Sequence, residues 1–445
     1  MKYTIFWHRR DLRLKDNAAL YKALKTGGPV LSIFIFDQNI LEDLSNRQDA
    51  RVSFIHQELQ YLQESLRSLG SDLLVLYGRP EEVWTQLLQD WSINKVYANR
   101  DYEPYAQKRD ATIAQFLQKE NIPFLTEKDH VIFEALEVEK KTSGPYTVFT
   151  PYSRQWKTKL DSKKTTDGHS FFLQAYPNEK YQQNYATLPG NFEIPSLESM
   201  GFVPSQLSFP SRALQQKYIK KYEETRDFPA LEKGTSRLGP HFRFGTISIR
   251  EKARKARKLN DTYLNQLIWR DFYAQILANF PKVVVQSFRP AYDQIEWRNN
   301  EEEFEAWCQG KTGYPLVDAG MRELNATGYM HNRVRMLVAS FLCKHLLIDW
   351  RWGEAYFAEK LLDFDLASNN GGWQWAAGSG TDAAPYFRIF SPESQLKKFD
   401  AKLKYVKKWV KEYGSSAYPS PIVEHKFARQ RCLATYKSAL NQENA

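Results

Sequence analysis

Between residues 1 and 132, short runs of β-branched and aromatic residues alternate with stretches of helical periodicity. The apolar runs fall at residues 3–7, 30–36, 73–77 and 95–98, with a weaker run at 131–133. The helical patterns between them cover residues 18–24, 52–69, 81–88 and 106–119. Because strands that alternate with helices over short connections form parallel sheets, the pattern predicts an α/β domain with a doubly wound, parallel five-stranded sheet over residues 1–132.

The regular pattern weakens between residues 133 and 215, where Pro, Gly, Ser, Asn and Lys accumulate. We interpret this segment as a long interdomain linker, because its length exceeds that of ordinary loops. From 216 to 437 the apolar positions again follow a helical period, with candidate helices at 247–259, 263–280, 301–308, 316–326, 332–344, 352–362 and 397–409. The sequence therefore predicts a second, all-α domain over residues 216–437.

Composition and charge narrow the class of protein. A length of 445 residues exceeds that of an ordinary single domain, and the net charge of +10 favours a polyanionic partner. The first apolar run is too short for a signal peptide, and no apolar run approaches the ~18 residues of a membrane span. The three cysteines are widely spaced, so neither a zinc site nor a disulfide framework is indicated. We expect a cytoplasmic monomer without a membrane anchor.

The segment GTSRLG, which starts at Gly234, combines backbone N–H groups, two hydroxyls and a guanidinium. That combination suits a phosphate or pyrophosphate, although an ordinary helix N-cap and turn would use the same residue types. The amino-terminal half has no GxGxxG motif after its first strand and no Walker A motif, so a standard dinucleotide or ATP site is not indicated there.

The segment NQLIWRDFY places four unlike side chains on one face of a predicted helix. They stand at i, i+3, i+4 and i+7, and they are Gln266, Trp269, Arg270 and Tyr273. A face of this composition is typical of the wall of a polar and aromatic pocket. A face capped by Trp at a domain boundary is the alternative.

Two later segments could complete such a pocket. In GYMHNRVRM, Asn332 and Met336 are one helical turn apart, while Arg333 and Arg335 point to different sides. One Arg could meet a DNA phosphate while the other pairs with an internal carboxylate. In DFDLASNNGGWQW, paired glycines permit close backbone approach and two Trp residues alternate. The two Asp residues of that segment lack a third ligand, so we expect no metal.

Together these segments resemble the photolyase–cryptochrome family, and within it the bacterial photolyases that repair cyclobutane pyrimidine dimers. The resemblance runs nearly end to end, from FWHRRDLRLKDN through RDFPALEKGTSRL, LIWRDFY and KTGYPLVDAGMRELNATGYMHNRVRM to DLASNNGGWQWAAGSGTDAAPYFRIF. It implies an α/β domain joined by a long linker to an all-α FAD-binding domain. It also implies a carbon–carbon lyase that uses light to split dimers in ultraviolet-damaged DNA.

The resemblance assigns a set of residues to FAD. Those that would contact its phosphates and ribityl chain are Tyr222, Thr235, Ser236, Arg237 and Leu238. Those that would bound its isoalloxazine and ribityl parts are Arg270, Arg335, Asp363 and Asp365, with Arg335 pairing Asp363. Asn369 would face the flavin N5, where plant cryptochromes usually carry Asp, and this favours a repair enzyme.

The resemblance also implies a lesion pocket and its contacts with DNA. The pocket would be lined by Gln266, Trp269, Asn332, Met336 and Trp375, and the candidate phosphate contacts are Arg226, Arg333 and Lys398. Family dimer-repair enzymes usually carry Glu at the position of Gln266. Enzymes for the (6-4) lesion carry Gln there, but they also need a second histidine after His331, where this chain has Asn332.

Two further functions follow from the resemblance. Trp297, Trp350 and Trp373 match the family's chain of electron carriers. An antenna chromophore would lie in the α/β domain near Arg51 and Asp101, with Arg243 as a further contact, and an empty site is the alternative. A deazaflavin or another flavin fits better than folate, because Tyr105 and Ala106 stand where folate binders have Asn–Glu. The alternatives are (6-4) repair and a cryptochrome-type photoreceptor without repair.

Overall fold

A computed structural model describes residues 1–188 and 191–441 of the chain. The chain forms two compact units. The first comprises Met1–Val138, Arg154–Leu214 and Arg237–Lys258. The second comprises Glu139–Ser153, Gln215–Ser236 and the described chain from Leu259 onward. Residues 139–153, inside the predicted linker, therefore group with the helical unit.

The first unit is built around a parallel sheet with strand order β3-β2-β1-β4-β5. Its strands are β1 (Tyr3–His8), β2 (Val30–Asp37), β3 (Leu73–Gly78), β4 (Ile93–Asn99) and β5 (Phe124–Glu127). The helices that alternate with them are α1 (Ala18–Lys25), α2 (Gln38–Glu42), α3 (Ala50–Arg67), α4 (Pro80–Asp90) and α5 (Pro104–Lys119). The predicted α/β class is confirmed.

The central strands of the sheet are buried, as expected for a parallel sheet covered by helices. All eight residues of β2 are buried, and Ile5, Ile33, Trp84 and Val96 belong to its core. Helices α4 and α5 begin with Pro at their first position, where the missing N–H costs no hydrogen bond.

The prediction of the fifth strand was wrong. It lies at Phe124–Glu127, and residues 131–133 form a buried irregular segment instead. The ring of Phe133 packs edge-on against Trp156 at 5.4 Å, so this apolar run fills the core without pairing in the sheet.

Helices make up the rest of the described secondary structure, apart from short 3₁₀ turns. In chain order the first of them are α6 (Phe149–Ser162), α7 (Gln216–Ile219), α8 (Tyr222–Thr225), α9 (Gly239–Arg243) and α10 (Ile249–Leu259). The second unit continues with α11 (Asp261–Asn279), α12 (Glu301–Cys308), α13 (Pro315–Thr327), α14 (Asn332–Ser340), α15 (Trp350–Lys360), α16 (Leu366–Ala377), α17 (Pro392–Phe399), α18 (Lys404–Trp409) and α19 (His425–Asn441). Its core includes Trp307, Val338, Phe341 and Trp350.

Three features of this helical part differ from the prediction. The helix expected over 332–344 is α-helical only to Ser340 and continues as a π-helical turn over Phe341–Leu346. The helix expected over 397–409 is two helices, α17 and α18, separated at Leu403, whose φ of 55° is left-handed. The longer helices that were not predicted are α6, α16 and α19. Within the described ranges, no helix is long and apolar enough to cross a membrane.

Candidate active site

One face of α11 is polar and aromatic, as its spacing predicts. Gln266, Trp269, Arg270 and Tyr273 are each half-buried. The opposite side of the helix is fully buried through Leu264, Leu267, Ile268 and Phe272. The amide nitrogen of Gln266 donates to the Thr262 carbonyl at 3.1 Å, so its amide oxygen remains an acceptor. The helix is therefore fixed by its apolar side and presents the mixed face outward from that core.

Helix α16 packs closely on this face. Asp365 caps its N-terminus by accepting the Ser368 N–H at 3.1 Å. A Cβ at Gly371 would lie 2.2 Å from the Tyr273 ring, so only glycine permits this approach of α16 to α11. Trp373 is 2% exposed and Trp375 is half-buried, so the two indoles lie in different environments.

Asn369 on α16 is anchored by Glu354 on α15. Its amide nitrogen donates to the Glu354 carboxylate at 2.8 Å and to the Glu354 main-chain carbonyl at 3.1 Å. Because both N–H groups of the amide are used, the amide oxygen is the group left to accept a hydrogen bond from a ligand. Burial raises the pKa of Glu354, and the hydrogen bond from Asn369 opposes that rise.

Sequence reasoning missed Glu354, although a signal was present. Trp350, Gly353 and Phe357 form the buried stripe of α15, and position 354 falls on the same face. A carboxylate within a buried stripe needs a hydrogen-bonding partner, which marks it for attention.

The loop predicted to hold phosphate contains a tight backbone turn. A Cβ at Gly234 would lie 3.0 Å from two carbonyl oxygens, and the Thr225 hydroxyl donates to the Gly234 carbonyl at 3.0 Å. The hydroxyls of Thr235 and Tyr329 lie 3.3 Å apart. Arg237 has a left-handed φ of 52°.

Two more predicted cofactor residues are Tyr222, which precedes this loop in the sequence, and Leu238, which stands at its end. Tyr222 is buried and its ring meets the edge of Tyr263 at 5.1 Å. Leu238 is 1% exposed. The boundary between the two compact units falls after Ser236, so Arg237 and Leu238 are counted in the first unit.

The two arginines at the start of α14 have different carboxylate partners. The Arg335 guanidinium donates to both oxygens of Asp363 at 3.0 Å. The Arg333 guanidinium donates to Asp227 at 2.7 Å and lies 4.4 Å from the centre of the Phe399 ring. Arg333 is thus ion-paired, and a DNA phosphate would have to share or replace Asp227.

The other predicted DNA contacts lie beside Asp227 and Phe399, the two residues that Arg333 contacts. Arg226 is 3.8 Å from Asp227, and the Lys398 ammonium lies 5.2 Å from the Phe399 ring centre. Lys398 is exposed. Among the predicted lesion contacts, the amide nitrogen of Asn332 lies 3.8 Å from the Met336 sulfur.

Phe149 was also missed by sequence reasoning. Its ring stacks on Trp269 with centroids 3.7 Å apart and planes 4° apart. It is the first residue of α6, in the segment interpreted as linker. Pro151 near the start of an unexpected helical pattern was the available signal.

The three predicted electron carriers differ in exposure. Trp373 and Trp350 are each 2% exposed, whereas Trp297 is half-buried and its ring meets the edge of Tyr436 at 6.1 Å.

The predicted antenna residues lie in the first unit and are ion-paired. Arg51 donates to Asp49, Arg10 donates to Asp101 at 3.1 Å, and Arg243 donates to Glu103. Burial disfavours ionised Asp101, but nearby cations, Arg10 foremost, hold the pKa of Asp101 well below its usual range. Asp101 follows β4, whose neighbour β1 is the strand at which the chain order reverses; ligands of such sheets bind at this point.

Across residues 1–188 and 191–441, no group of three or more His, Cys, Asp or Glu side chains is placed to hold a metal ion.

Comparison with known proteins covers both halves of the chain. The family profile described as the FAD binding domain of DNA photolyase matches residues 263–416, and the profile described as DNA photolyase matches residues 4–169. A deoxyribodipyrimidine photo-lyase of Halobacterium salinarum is 36% identical over 99% of this chain and 100% of its own.

Solved structures agree with these matches. A bacterial class III photolyase from Agrobacterium tumefaciens superposes with a TM-score of 0.85 at 33% identity, covering 99% of this chain and 98% of that one. An archaeal photolyase from Sulfolobus tokodaii, solved with two FAD molecules, has a TM-score of 0.80 at 35% identity, covering 98% of this chain and 100% of that one.

Proposed function

The chain belongs to the DNA photolyase family, and from this premise we propose that it is a light-driven repair enzyme that splits cyclobutane pyrimidine dimers in DNA. One observation carries the proposal: Trp269 and Asn369 lie on α11 and α16, two helices packed together within the segment that matches the FAD-binding domain. The Trp269 indole suits stacking on a flat base, and the Asn369 amide suits a hydrogen bond with a flavin.

The residues present fit FAD as the cofactor. Bound FAD supplies light absorption and the electron for ring splitting. The oxygen of Asn369 can accept a hydrogen bond from the protonated N5 of the reduced ring, because Glu354 occupies its nitrogen. We propose that Arg335 and Asp363 bound the ring as a fixed ion pair, with Arg270 and Asp365 beside it.

The hydroxyls and cation of the 234–238 loop fit a pyrophosphate. Hydroxyl and guanidinium donors in a tight turn are what such an anion accepts. We assign this function to Thr235, Ser236 and Arg237, with Tyr222 and Leu238 packing against the neighbouring part of the cofactor.

The DNA is held, in this proposal, by stacking and by phosphate contacts. Trp269 and Trp375 stack on the flipped dimer, whose extrusion costs less than that of an intact base pair. Gln266, Asn332 and Met336 contact its polar edges. The backbone contacts, which position the DNA without reading its sequence, are Arg226, Arg333 and Lys398.

Two auxiliary functions complete the proposal. Trp297, Trp350 and Trp373 carry electrons from the surface toward the cofactor. A second chromophore, a deazaflavin or another flavin, transfers energy from a site near Arg51, Asp101 and Arg243 in the first unit. The Sulfolobus tokodaii photolyase was solved with two FAD molecules, which supports a flavin as the second chromophore.

We further propose an antenna domain over residues 1–132, a linker over 133–215 and a catalytic domain over 216–437. We also propose that the protein acts as a monomer, since a single chain contains every residue assigned to FAD and DNA, and that it acts in the cytoplasm.

The test uses holoenzyme with its flavin reduced, illuminated with two matched oligonucleotides. One contains a cyclobutane dimer and the other a (6-4) lesion. We expect light-dependent loss of the dimer and no change in the (6-4) lesion. Loss of only the (6-4) lesion would favour the alternative raised by Gln266, and loss of neither would favour a photoreceptor.

A further inference from the structure

We propose that Phe149 is a positioning residue for the lesion: it backs one face of the Trp269 indole so that the other face alone receives the damaged base. This inference rests on the proposed function and assigns a specificity-determining contact to it. Phe149 touches Trp269, and it acts on the substrate through that indole.

The stacking between the two rings is unusually complete. Their centroids are 3.7 Å apart with planes inclined by 4°, whereas aromatic pairs in proteins more often meet edge to face or offset. Phe272 meets the edges of both rings, at 5.5 Å from Trp269 and 5.8 Å from Phe149. One face of the indole is thereby covered and its tilt is restricted.

The backbone is held at Phe149 itself and at Tyr146, three residues before it. The Gln275 amide, which is 1% exposed, donates to the Tyr146 carbonyl at 2.8 Å. The Asp382 carboxylate accepts the Phe149 N–H, which opposes the rise that burial causes in the pKa of Asp382. Gln275 stands on α11 itself, less than two turns beyond Trp269, so the same helix carries the indole and one clamp on its backing ring.

This anchoring decides between two functions for the stacked ring. A placeholder that occupies the base position and withdraws on binding would need a mobile backbone. A ring clamped by Gln275 and Asp382 fits a fixed platform. A preorganised indole loses less conformational freedom when a base stacks on it, and this raises the affinity. The affinity rises only for a base that is flipped out of the DNA duplex.

The experiment compares Phe149→Ala, Phe149→Leu and Phe149→Tyr holoenzymes with wild type, and Phe427→Ala on α19 is the control for loss of a Phe side chain outside the proposed site. The dissociation constant is measured in the dark for an oligonucleotide with one cyclobutane dimer and for the same sequence undamaged. FAD per chain is recorded for each variant.

We expect Phe149→Ala and Phe149→Leu to weaken dimer binding by about 2- to 10-fold, the strength of one aromatic pair, and to leave undamaged binding unchanged. Phe149→Tyr keeps a ring and should bind as wild type. The effect should vanish in a Trp269→Ala background, since there is then no indole to support. Phe149→Leu keeps apolar volume at this position. If Phe149→Ala loses FAD, dimer binding by Phe149→Leu tests the proposal instead.

Unchanged or tighter dimer binding in Phe149→Leu would contradict the proposal that Phe149 supports the indole. An equal loss of affinity for damaged and undamaged DNA would contradict it too. So would an equal loss in the Trp269 and the Trp269→Ala backgrounds. If wild type itself shows no preference for the dimer, the proposed function fails. If wild type prefers the dimer and Phe149→Leu binds it as tightly as wild type does, only the function of Phe149 fails.

Discussion

Polar groups are satisfied to different degrees in the two units. In the first unit, buried Arg250 donates to Asp16 at 2.8 Å and to Asp129 at 2.8 Å, and Arg13 donates to Asp129 at 2.5 Å. In the second unit, Asn369 and Gln266 use their amide nitrogens within the protein and keep an acceptor oxygen. The first arrangement is closed, and the second leaves positions for a ligand.

The difference teaches how to separate residues that hold the fold from residues that serve the reaction. Buried charges without partners are costly, so a closed network such as that around Asp129 is a condition for folding. The half-buried amide oxygen of Gln266, one turn from the stacked Trp269 indole, is not required for folding in this way. Its position therefore indicates a binding site.

The largest expected effect comes from opening the closed network. Asp129→Ala leaves two buried guanidinium groups short of a carboxylate and should lower the free energy of unfolding by about 3–5 kcal/mol. Asp161→Ala removes an exposed partner of Arg257 and should cost less than about 1 kcal/mol. Urea unfolding measures both, and equal losses would contradict the comparison.

The same network predicts a pH dependence. Burial opposes ionisation of Asp129, but Arg13 and Arg250 hold its pKa well below the usual range. A depressed folded pKa gives stability above the unfolded value of about 3.9, and that stability is lost as the pH falls further. In Asp129→Ala this acid-induced part of the loss should be smaller than in wild type; an unchanged acid profile would exclude Asp129 as its source.

The next largest effect concerns binding rather than folding. Trp269→Ala should weaken binding of dimer-containing DNA by about 10- to 100-fold, since base stacking contributes roughly 1–3 kcal/mol. FAD content should change little, and the free energy of unfolding is measured alongside, because the indole packs on Phe149 and Phe272. Trp91→Ala removes a half-buried indole from the first unit and serves as the control; if both variants bind alike, Trp269 is not a lesion contact.

A smaller effect is expected at Glu354. Glu354→Ala removes the acceptor that orients Asn369 and should slow repair by about 3- to 10-fold, the equivalent of one hydrogen bond. Glu354→Gln can still accept from the same N–H and should retain most of the rate. Single-turnover repair under constant light, with the absorption spectrum of bound FAD, measures the difference. Equal repair rates for the two variants would mean that the hydrogen bond to Glu354 is not needed to orient Asn369.

The smallest effect is expected at Gln266. Gln266→Glu introduces a carboxyl that, when protonated, can donate a hydrogen bond to the negatively charged dimer and deliver a proton to it, whereas an amide can donate a hydrogen bond but cannot deliver a proton. The quantum yield of dimer repair should rise by about 2- to 5-fold, the equivalent of a fraction of one hydrogen bond. Asn265→Asp places a similar acid one residue away on α11 and is the control. An unchanged yield in Gln266→Glu would mean that Gln is no handicap.

The fold was predictable where local pattern and burial agree. Strands β1 to β4 lie where strongly apolar runs predict them, whereas β5 is only partly buried and its sequence, FLTE, is weakly apolar. Helix α16 escaped prediction because paired Asn and paired Gly disfavour helix. Tertiary bonds compensate: the Asn370 and Gln374 amides both donate to the Val283 carbonyl at 2.9 Å.

The site was predictable where several residues stand at one helical spacing, as on α11. Contacts between distant segments were not predictable, because periodicity carries no information about which elements meet. Phe149 and Glu354 are of this kind: each contacts a predicted site residue from another helix.

The most direct measurement of the central claim is the wavelength dependence of dimer loss in reduced holoenzyme freed of any second chromophore. The account predicts no loss in the dark and a rate that follows the absorption spectrum of the bound reduced FAD. Loss in the dark, or no loss at wavelengths that this FAD absorbs, would contradict light-driven repair by the second unit.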